Sequence, residues 1–285
     1  MPDPAAPIVV GVDGSFVALR AARWAGAFAD RIGAPLHIVT GTPYAGHNPS
    51  ETVAAARAAA MAAHFDWAEE VLRNTKDVVR GDRSALAVTT QSVNDPADMA
   101  LVAASQTARM LVLGCDDVTA TGAILVGSTT LATVADAQCP VVAWRGEPIN
   151  PTEQPIVVGV RGPADDIALA TGFEMAASLD VPLRAVHSLT RHREAVDRED
   201  WENQQWSQLN GQIDRWRERH PGVKVTLVCG PLKSSHALVQ HSVDAQMVVV
   251  GNRRRNALVR GLFGSTSLNL LHHSKVPVVL CPLVD

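Results

Sequence analysis

The chain has 285 residues, of which 47% are hydrophobic and 19% charged, a composition typical of a globular protein long enough for two domains. Its formal net charge of −4 argues against a general nucleic-acid binder, which would carry a basic surface. No apolar run approaches the roughly 18 residues of a membrane span, and the start, MPDPAAP, lacks the pattern of a secretory signal.

In chain order, the first half predicts alternating strands and helices. IVVGV is a short β-branched run typical of a buried strand, and a helix is predicted over 16–32, ending at Gly33. A strand PLHIVT, a long alanine-rich helix from residue 51, a strand LAVTTQSV and a helix follow. A strand MLVLG, a last helix and a strand PVVAW complete the half. This alternation indicates a mostly parallel sheet with helices on both faces.

The second half of the sequence repeats the first. IVVGVDGS at 8–15 returns as IVVGVRGP at 156–163, an offset of 156 − 8 = 148. Three further segments match in the same order, and the last two are offset by 137. Such a tandem repeat predicts two domains, residues 1–147 and 153–285, joined by the polar stretch RGEPINPTEQ.

Ligands of doubly wound sheets bind outside the carboxyl ends of the strands, so the residues after the first and fourth strands are candidates. In the first half, Asp13 follows strand one, and Gly114 opens the loop after strand four. Gly127, Ser128 and Thr129 then start the last helix. Free N–H groups, a hydroxyl and the helix dipole at such a start favour a phosphate.

The second half keeps this spacing but changes one charge. Gly251 opens the loop, and Gly264, Ser265 and Thr266 start the last helix, whereas Arg161 stands where the first half has Asp13. For either copy alone, an ordinary Ser/Thr N-cap beside a turn glycine explains the pattern. The same constellation twice, at a predicted switch point, favours a phosphate site.

These motifs resemble those of the tandem universal stress proteins common in actinobacteria, which carry V-G-x-D after strand one and G-x2-G-x9-G-[ST] after strand four. The resemblance covers nearly all of both halves. It implies two doubly wound, five-stranded parallel-sheet domains of the adenine-nucleotide α-hydrolase-like fold, with strand order 3-2-1-4-5, and ATP as the ligand. The predicted nucleotide-binding residues are Asp13, Gly41, Gly114, Gly127, Ser128, Thr129, Gly251, Arg253, Gly264, Ser265 and Thr266.

The motif is degenerate in both halves. Its second glycine is Asp117 in the first half and Arg254 in the second. Asp116 and Asp117 would repel a polyphosphate unless Mg²⁺ or Mn²⁺ lies between them, which predicts a metal there only with bound nucleotide. The second loop, with Arg253 and its neighbours, suits phosphate better, but Arg161 replaces the carboxylate expected to hold the nucleoside.

Three functions are compatible with these residues. The first is a cytoplasmic stress-response module that binds ATP without turnover, with no catalytic residues and no covalent cofactor. The second is a protein-interaction scaffold of the same fold that has lost nucleotide binding. The third, a slow ATP hydrolase or transferase, is disfavoured because no P-loop and no general base can be recognised. The cysteines form no C-x-x-C pair, which favours reduced thiols, and a redox role of Cys115 stays open.

The resemblance also predicts an assembly. In the implied strand order the fifth strand is an edge, and both fifth strands, PVVAW and PVVLC, are apolar. An uncovered apolar edge is an aggregation hazard, so we expect the two fifth strands to pair within the chain as a pseudo-twofold dimer. A further homodimer through other surfaces is compatible with the sequence, and neither nucleic acid nor membrane is an expected partner.

Overall fold

The structure is a computed structural model. It describes residues 5–41, 51–81, 83–115, 117–118, 124–147, 149–162, 166–189, 198–230, 232–252 and 264–282. Within these ranges, none of the helices combines the length and apolarity that crossing a membrane requires.

The two halves follow the alternation of strands and helices that the sequence predicts. The first half contains β1 (Ile8–Gly11), α1 (Phe16–Ile32), β2 (Leu36–Gly41), α2 (Glu51–Arg80), β3 (Val88–Val93), α3 (Ala97–Ala104), β4 (Met110–Gly114), β5 (Asp117–Val118), β6 (Ile124–Leu125), α4 (Ser128–Asp136) and β7 (Val141–Trp144). The second half contains β8 (Ile156–Val160), α5 (Asp166–Leu179), β9 (Leu183–Ser188), α6 (Arg198–Arg219), β10 (Val225–Gly230), α7 (Ser234–His241), β11 (Met247–Asn252), α8 (Ser265–His273) and β12 (Val278–Pro282).

The long strands of both halves lie in one ten-stranded sheet, in the order β10-β9-β8-β11-β12-β7-β4-β1-β2-β3. Within each half the strands are parallel and follow the order 3-2-1-4-5, which confirms the predicted fold. The halves meet where β12 runs antiparallel to β7, with Val279 opposite Val142. The carboxyl edge of one half therefore lies beside the amino edge of the other.

Two apolar cores, one on each face of the sheet, run through both halves. One core lies under α1, α2, α5 and α6 and contains Phe28 and Phe173, both fully buried. The other lies under α3, α4, α7 and α8 and contains Leu111 and Leu270. Trp216 belongs to the first core with its α6 neighbours Leu209 and Ile213, so that apolar helix face serves packing.

Local signals set the ends of α1 as the sequence predicts. Ser15 is the N-cap and its hydroxyl accepts a hydrogen bond from the Ala18 N–H at 3.2 Å. Gly33 caps the other end in the left-handed conformation, at φ 68°. In the second half Asp180 follows α5 with φ 54°, a conformation that costs more without glycine.

Two details of the structure were not predicted from the sequence. Arg145, assigned to a polar linker, is 1% exposed, and its Nη1 donates to the Leu271 carbonyl at 2.6 Å and the Ser274 carbonyl at 3.3 Å, at the end of α8. Polar composition suggested exposure, but a guanidinium is also suited to the negative end of a helix dipole. The segment after β4, predicted as a loop, contains a short antiparallel pair of β5 and β6.

Candidate functional site

The carboxyl end of β1 in the first half places a carboxylate on the surface. Asp13 is exposed, and its Oδ1 accepts the Ser15 N–H at 3.0 Å, which shapes the turn into α1. Gly14 between them has φ 77°, in the left-handed region that favours glycine. The turn therefore fixes where the Asp13 side chain leaves the backbone.

Helix α2 covers this turn, a feature that the sequence reasoning missed. A Cβ added to Gly14 would lie 3.1 Å from Val71 Cγ2 and 3.3 Å from Trp67 Cζ2. Trp67 is nevertheless 40% exposed, so its indole forms part of the rim beside Asp13. The available signal was the position of Trp67 beside, and not on, the helix face formed by Ala68, Val71 and Leu72, which is buried.

Gly41 and Gly114, both predicted to bind nucleotide, have packing roles in the structure. A Cβ on Gly41 would lie 2.6 Å from Ala97 Cα, 2.8 Å from Ala97 N and 2.9 Å from Asp95 O. A Cβ on Gly114 would lie 2.8 Å from Val17 Cγ1 and 3.0 Å from the Val17 backbone. These glycines let α3 and α1 approach the strand ends closely, which explains them without a ligand.

At the start of α4, no packing contact among the described residues requires a glycine. Gly127 is the N-cap, with φ −61° and ψ 149°, a conformation open to any residue, and no described atom lies within 4 Å of an added Cβ. Ser128 and Thr129 are the first two helical residues and both are exposed. No side chain among the described residues caps this end. Ser128 is therefore not the N-cap that the alternative interpretation required, and the helix presents N–H groups to the surface.

The predicted metal ligands lie at the margin of what the structure describes. Asp116 is outside the described residues, and for Asp117 only its backbone is described, in β5 opposite Leu125. In the described ranges, no three His, Cys, Asp or Glu side chains form a group able to hold a metal ion. The metal assignment therefore stays a prediction.

In the second half, the corresponding strand ends enclose very little space. Gly159, Val160, Arg161, Gly251 and Thr266 line a cavity of about 20 Å³, room for about one water molecule. The other lining residues are Val186, Ser188, Ser234, Leu238 and Val250. Ligand pockets typically measure about 300–1,000 Å³.

Side chains of the second half hold this strand end in place. His187 Nδ1 lies 2.8 Å from the Val160 carbonyl, and Gln212 Nε2 donates to the Gly162 carbonyl at 3.3 Å. Trp216 Nε1 donates to Asp166 Oδ1 at 3.0 Å, at the first residue of α5. Three side chains from β9 and α6 thus hold the end of β8 and the start of α5.

The start of α8 repeats the start of α4. Gly264 is the N-cap with φ −58°, and no described atom lies within 4 Å of an added Cβ. Ser265 is exposed and Thr266 is partly buried against the small cavity. Gly251 lies within β11, opposite Cys281, and Arg253 lies outside the described residues.

Cys115, considered above for redox chemistry, is enclosed. Its thiol is 4% exposed and lies 3.2 Å from the Thr130 hydroxyl in α4. Its backbone N–H donates to the Trp144 carbonyl. Reactive cysteines are accessible as well as electropositively placed, so this position indicates a packing role.

Fold and strand ends together define a tandem doubly wound α/β protein, of the class that binds ligands at the topological switch point. The model of the universal stress protein family matches residues 5–145 and 153–282. The chain belongs to the universal stress protein family, as a tandem repeat of two such domains.

Similar proteins align with nearly the whole chain. Universal stress protein Rv2005c of Mycobacterium tuberculosis is 30% identical over 290 residues, covering 96% of each protein. Universal stress protein Rv2623 of the same species is 29% identical over 293 residues, covering 96% of this chain and 95% of that protein. The crystal structure of a universal stress protein from Archaeoglobus fulgidus matches with a TM-score of 0.76 at 15% identity over 98% of both chains, which shows the shared fold.

Proposed function

We propose that this protein is a stress-response module that binds ATP at the first-half strand ends, between Asp13 and the start of α4, without turning it over. The observation that carries the proposal is Gly127. Its backbone conformation needs no glycine and its Cβ position is open, so no described contact within the chain explains the residue. A polyphosphate held against the backbone at this helix start would explain it.

In the proposed site, the ribose and the phosphates of one nucleotide bind at two edges of the same crevice. Asp13, on the rim, accepts hydroxyl hydrogens of the ribose, as the family resemblance implies. Because β1 and β4 are neighbours in the sheet, the loop after β4 and the start of α4 lie on the same side as Asp13. There the N–H groups of the first turn and the Ser128 hydroxyl bind phosphate oxygens, supported by the helix dipole.

Within this proposal, Asp116 and Asp117 bind the phosphates through Mg²⁺ or Mn²⁺. A carboxylate pair facing a triphosphate otherwise repels it. We expect EDTA to weaken ATP binding by about tenfold or more in titration calorimetry. Equal affinity with and without EDTA would mean that both carboxylates face away from the phosphates.

The second half, in this proposal, is a scaffold without nucleotide. The hydrogen bonds by which His187 and Gln212 hold the end of β8 favour this assignment over a second ATP site. Arg161 also lines the small cavity at this strand end, where the first half has a carboxylate. The arginines after Gly251 leave open a weaker anion site, which the experiment below would reveal.

A matched pair of serines tests the assignment. Ser128 and Ser265 are both exposed first residues of equivalent helices, so the two alanine variants remove the same hydroxyl from either half. We expect Ser128→Ala to weaken Mg·ATP binding about tenfold and Ser265→Ala to leave it unchanged, measured by calorimetry. Loss of binding in Ser265→Ala alone would place the site in the second half.

We also propose that domains 1–147 and 153–285 work in the cytoplasm as an intramolecular pair. The antiparallel β7–β12 contact supports the pairing, and four cysteines that form no disulfide support the cytoplasm. Residues 1–147 expressed alone should dimerise or aggregate through the exposed β7 edge in sedimentation experiments. A stable monomer of this half would contradict the pairing.

A separate assay tests binding without turnover. Phosphate release from ATP by the full chain above the rate in buffer alone would contradict it.

A further inference from the structure

Trp67, on α2, is the most exposed of the tryptophans whose side chains the structure describes. It is 40% exposed, whereas Trp24, Trp144 and Trp216 fill the cores and are at most 4% exposed. A large aromatic ring that stays partly in water still has apolar area to bury against a binding partner.

The indole of Trp67 lies against the turn that follows β1. A Cβ added to Gly14 would lie 3.3 Å from Trp67 Cζ2 and 3.8 Å from its Cε2. These two atoms adjoin on one edge of the indole, so an edge and not a face is nearest the turn. His64 flanks the ring with centroids 5.9 Å apart and planes tilted by 54°, so the two rings are not stacked. The indole therefore keeps a face available for stacking.

The same turn carries the carboxylate of the proposed nucleotide site. Asp13 Oδ1 accepts the Ser15 N–H at 3.0 Å, and this hydrogen bond closes the turn around Gly14. The Asp13 carboxylate and the Trp67 indole thus border the same glycine. Because a base is bonded directly to C1′ of its ribose, a nucleotide whose ribose binds Asp13 carries its base next to this turn.

The topology of the sheet decides on which side of Asp13 the base lies. In the first half β4 is the neighbour of β1 on one side, and β2 is its neighbour on the other. The proposed phosphate site at the start of α4 belongs to the β4 side. Helix α2 packs on β2 and β3, so Trp67 belongs to the opposite side. A nucleotide that extends from α4 across Asp13 therefore directs its base towards Trp67.

Phe16 is a second exposed aromatic residue near the turn, but it lies on the other side. Its ring is 72% exposed at the start of α1. The Arg20 guanidinium lies 5.7 Å from the centroid of Phe16 and 5.4 Å from that of Trp144, the last residue of β7. Arg20 thus covers Phe16 and associates it with the β7 side of the turn, away from α2.

The second half lacks the ring as well as the carboxylate. With the offset of 137, the buried residues Leu72 and Leu209 correspond, and Trp67 corresponds to Gln204 on α6. Gln204 is exposed and offers no aromatic face. The same half has Arg161 where the first half has its carboxylate. The ring and the carboxylate are present together in one half and absent together in the other, as two parts of one site would be.

We propose that Trp67 is the surface on which the base of the bound nucleotide stacks. The inference rests on the proposed function, because Asp13 and the start of α4 fix where the ribose and the phosphates lie. Stacking on an aromatic ring tolerates any base, so Trp67 contributes affinity without selecting adenine.

The experiment titrates Mg·ATP into the full chain and its variants by calorimetry and follows tryptophan fluorescence in parallel. We expect Trp67→Ala to weaken ATP binding about tenfold and Trp67→Phe, which keeps a ring, to weaken it no more than about threefold. Phe65→Ala is the matched control, because Phe65 is on the same helix and is 41% exposed, and it should leave the affinity unchanged. Saturating ATP should quench the fluorescence of the unaltered chain, and Trp67→Phe should lose this quench while it still binds.

Cooperative thermal unfolding establishes that the variants are folded, and the fluorescence of Trp67→Phe decides alone if Trp67→Ala is not. The proposal is overturned by ATP affinity unchanged in Trp67→Ala, by an equal loss in Phe65→Ala, or by a quench that persists in Trp67→Phe. Weakened binding in Phe16→Ala with unchanged binding in Trp67→Ala would assign the stacking surface to Phe16 instead. An unaltered chain that binds no ATP overturns the proposed function and this inference together, whereas the other results overturn this inference alone.

Discussion

The two halves share one topology and differ in how they finish the same strand end. In the first half Thr40 and Gly41 end β2, and the Thr40 hydroxyl is buried without a hydrogen-bond partner among the described residues. In the second half His187 and Ser188 stand there and bond to the Val160 and Leu232 carbonyls. In the second half, side chains bond across this strand end, whereas in the first half the Thr40 hydroxyl has no such partner among the described residues.

Under the proposed function, a repeated motif does not give a repeated site. Gly127 and Gly264 look alike in sequence and in backbone conformation. What separates the halves is the set of side chains that the neighbouring strand and helix direct at the loop after the first strand. The comparison therefore gives opposite expectations for matched substitutions in the two halves.

The largest expected effect concerns Gly41. Gly41→Ala places a Cβ 2.6 Å from Ala97 Cα, and backbone atoms cannot move aside as a flexible side chain can. We expect it to lower the free energy of unfolding by about 3 kcal/mol. The second-half counterpart Ser188→Gly removes the hydrogen bond to the Leu232 carbonyl and should cost about 1 kcal/mol. Urea unfolding of both variants measures the difference, and equal losses would contradict the packing role of Gly41.

A smaller effect is expected at the boundary between the halves. Arg145→Met removes the charged donor that binds the Leu271 and Ser274 carbonyls, and should lower the free energy of unfolding by about 2 kcal/mol. Asn252→Leu removes a longer, neutral hydrogen bond to the Val134 carbonyl and should cost about 1 kcal/mol. If thermal denaturation ranks the two variants in the reverse order, the charged contact is not the stronger attachment.

Substitution of the helix-start glycines should separate binding from stability. Gly127→Ala and Gly264→Ala both add a Cβ to open space at an ordinary φ, so each should change the free energy of unfolding by less than about 0.5 kcal/mol. Gly127→Ala should nevertheless weaken ATP binding by about tenfold, whereas Gly264→Ala should not. Calorimetric titration of the two variants with ATP measures this. If both variants lose affinity for ATP, both halves bind it.

The smallest effect depends on pH and concerns Glu174 in α5. Burial is the main cause that raises the pKa of Glu174, with Arg109 opposing it, so ionisation of this carboxyl disfavours the folded state. The stability due to the protonated form is present below the ordinary pKa of about 4.5 and is lost as the pH rises through the folded-state pKa. Glu174→Gln should therefore raise the melting temperature at pH 8 and leave it unchanged at pH 4. A gain in melting temperature that is larger at pH 4 than at pH 8 would contradict this prediction.

Much of the fold was predictable because its signals are local or repeated. The buried strands, the span of α1 with Gly33 at its end, and the repeat follow from patterns that a reader can count. The 3-2-1-4-5 order was implied by the family resemblance. The roles of Gly41 and Arg145 could not be predicted, because each depends on a partner more than 50 residues away in sequence. In the sequence alone, a glycine required by packing cannot be distinguished from a glycine proposed to bind a ligand.

Photo-crosslinking with 8-azido-ATP and Mg²⁺, followed by peptide mass mapping, tests the central claim most directly. The full chain is labelled with and without excess ATP, so that only competed label counts. We predict competed label on peptides from residues 5–147, near Asp13, Trp67 or the start of α4, and none on peptides from 149–282. Competed label confined to the second half would contradict the account, as would label shared equally by both halves.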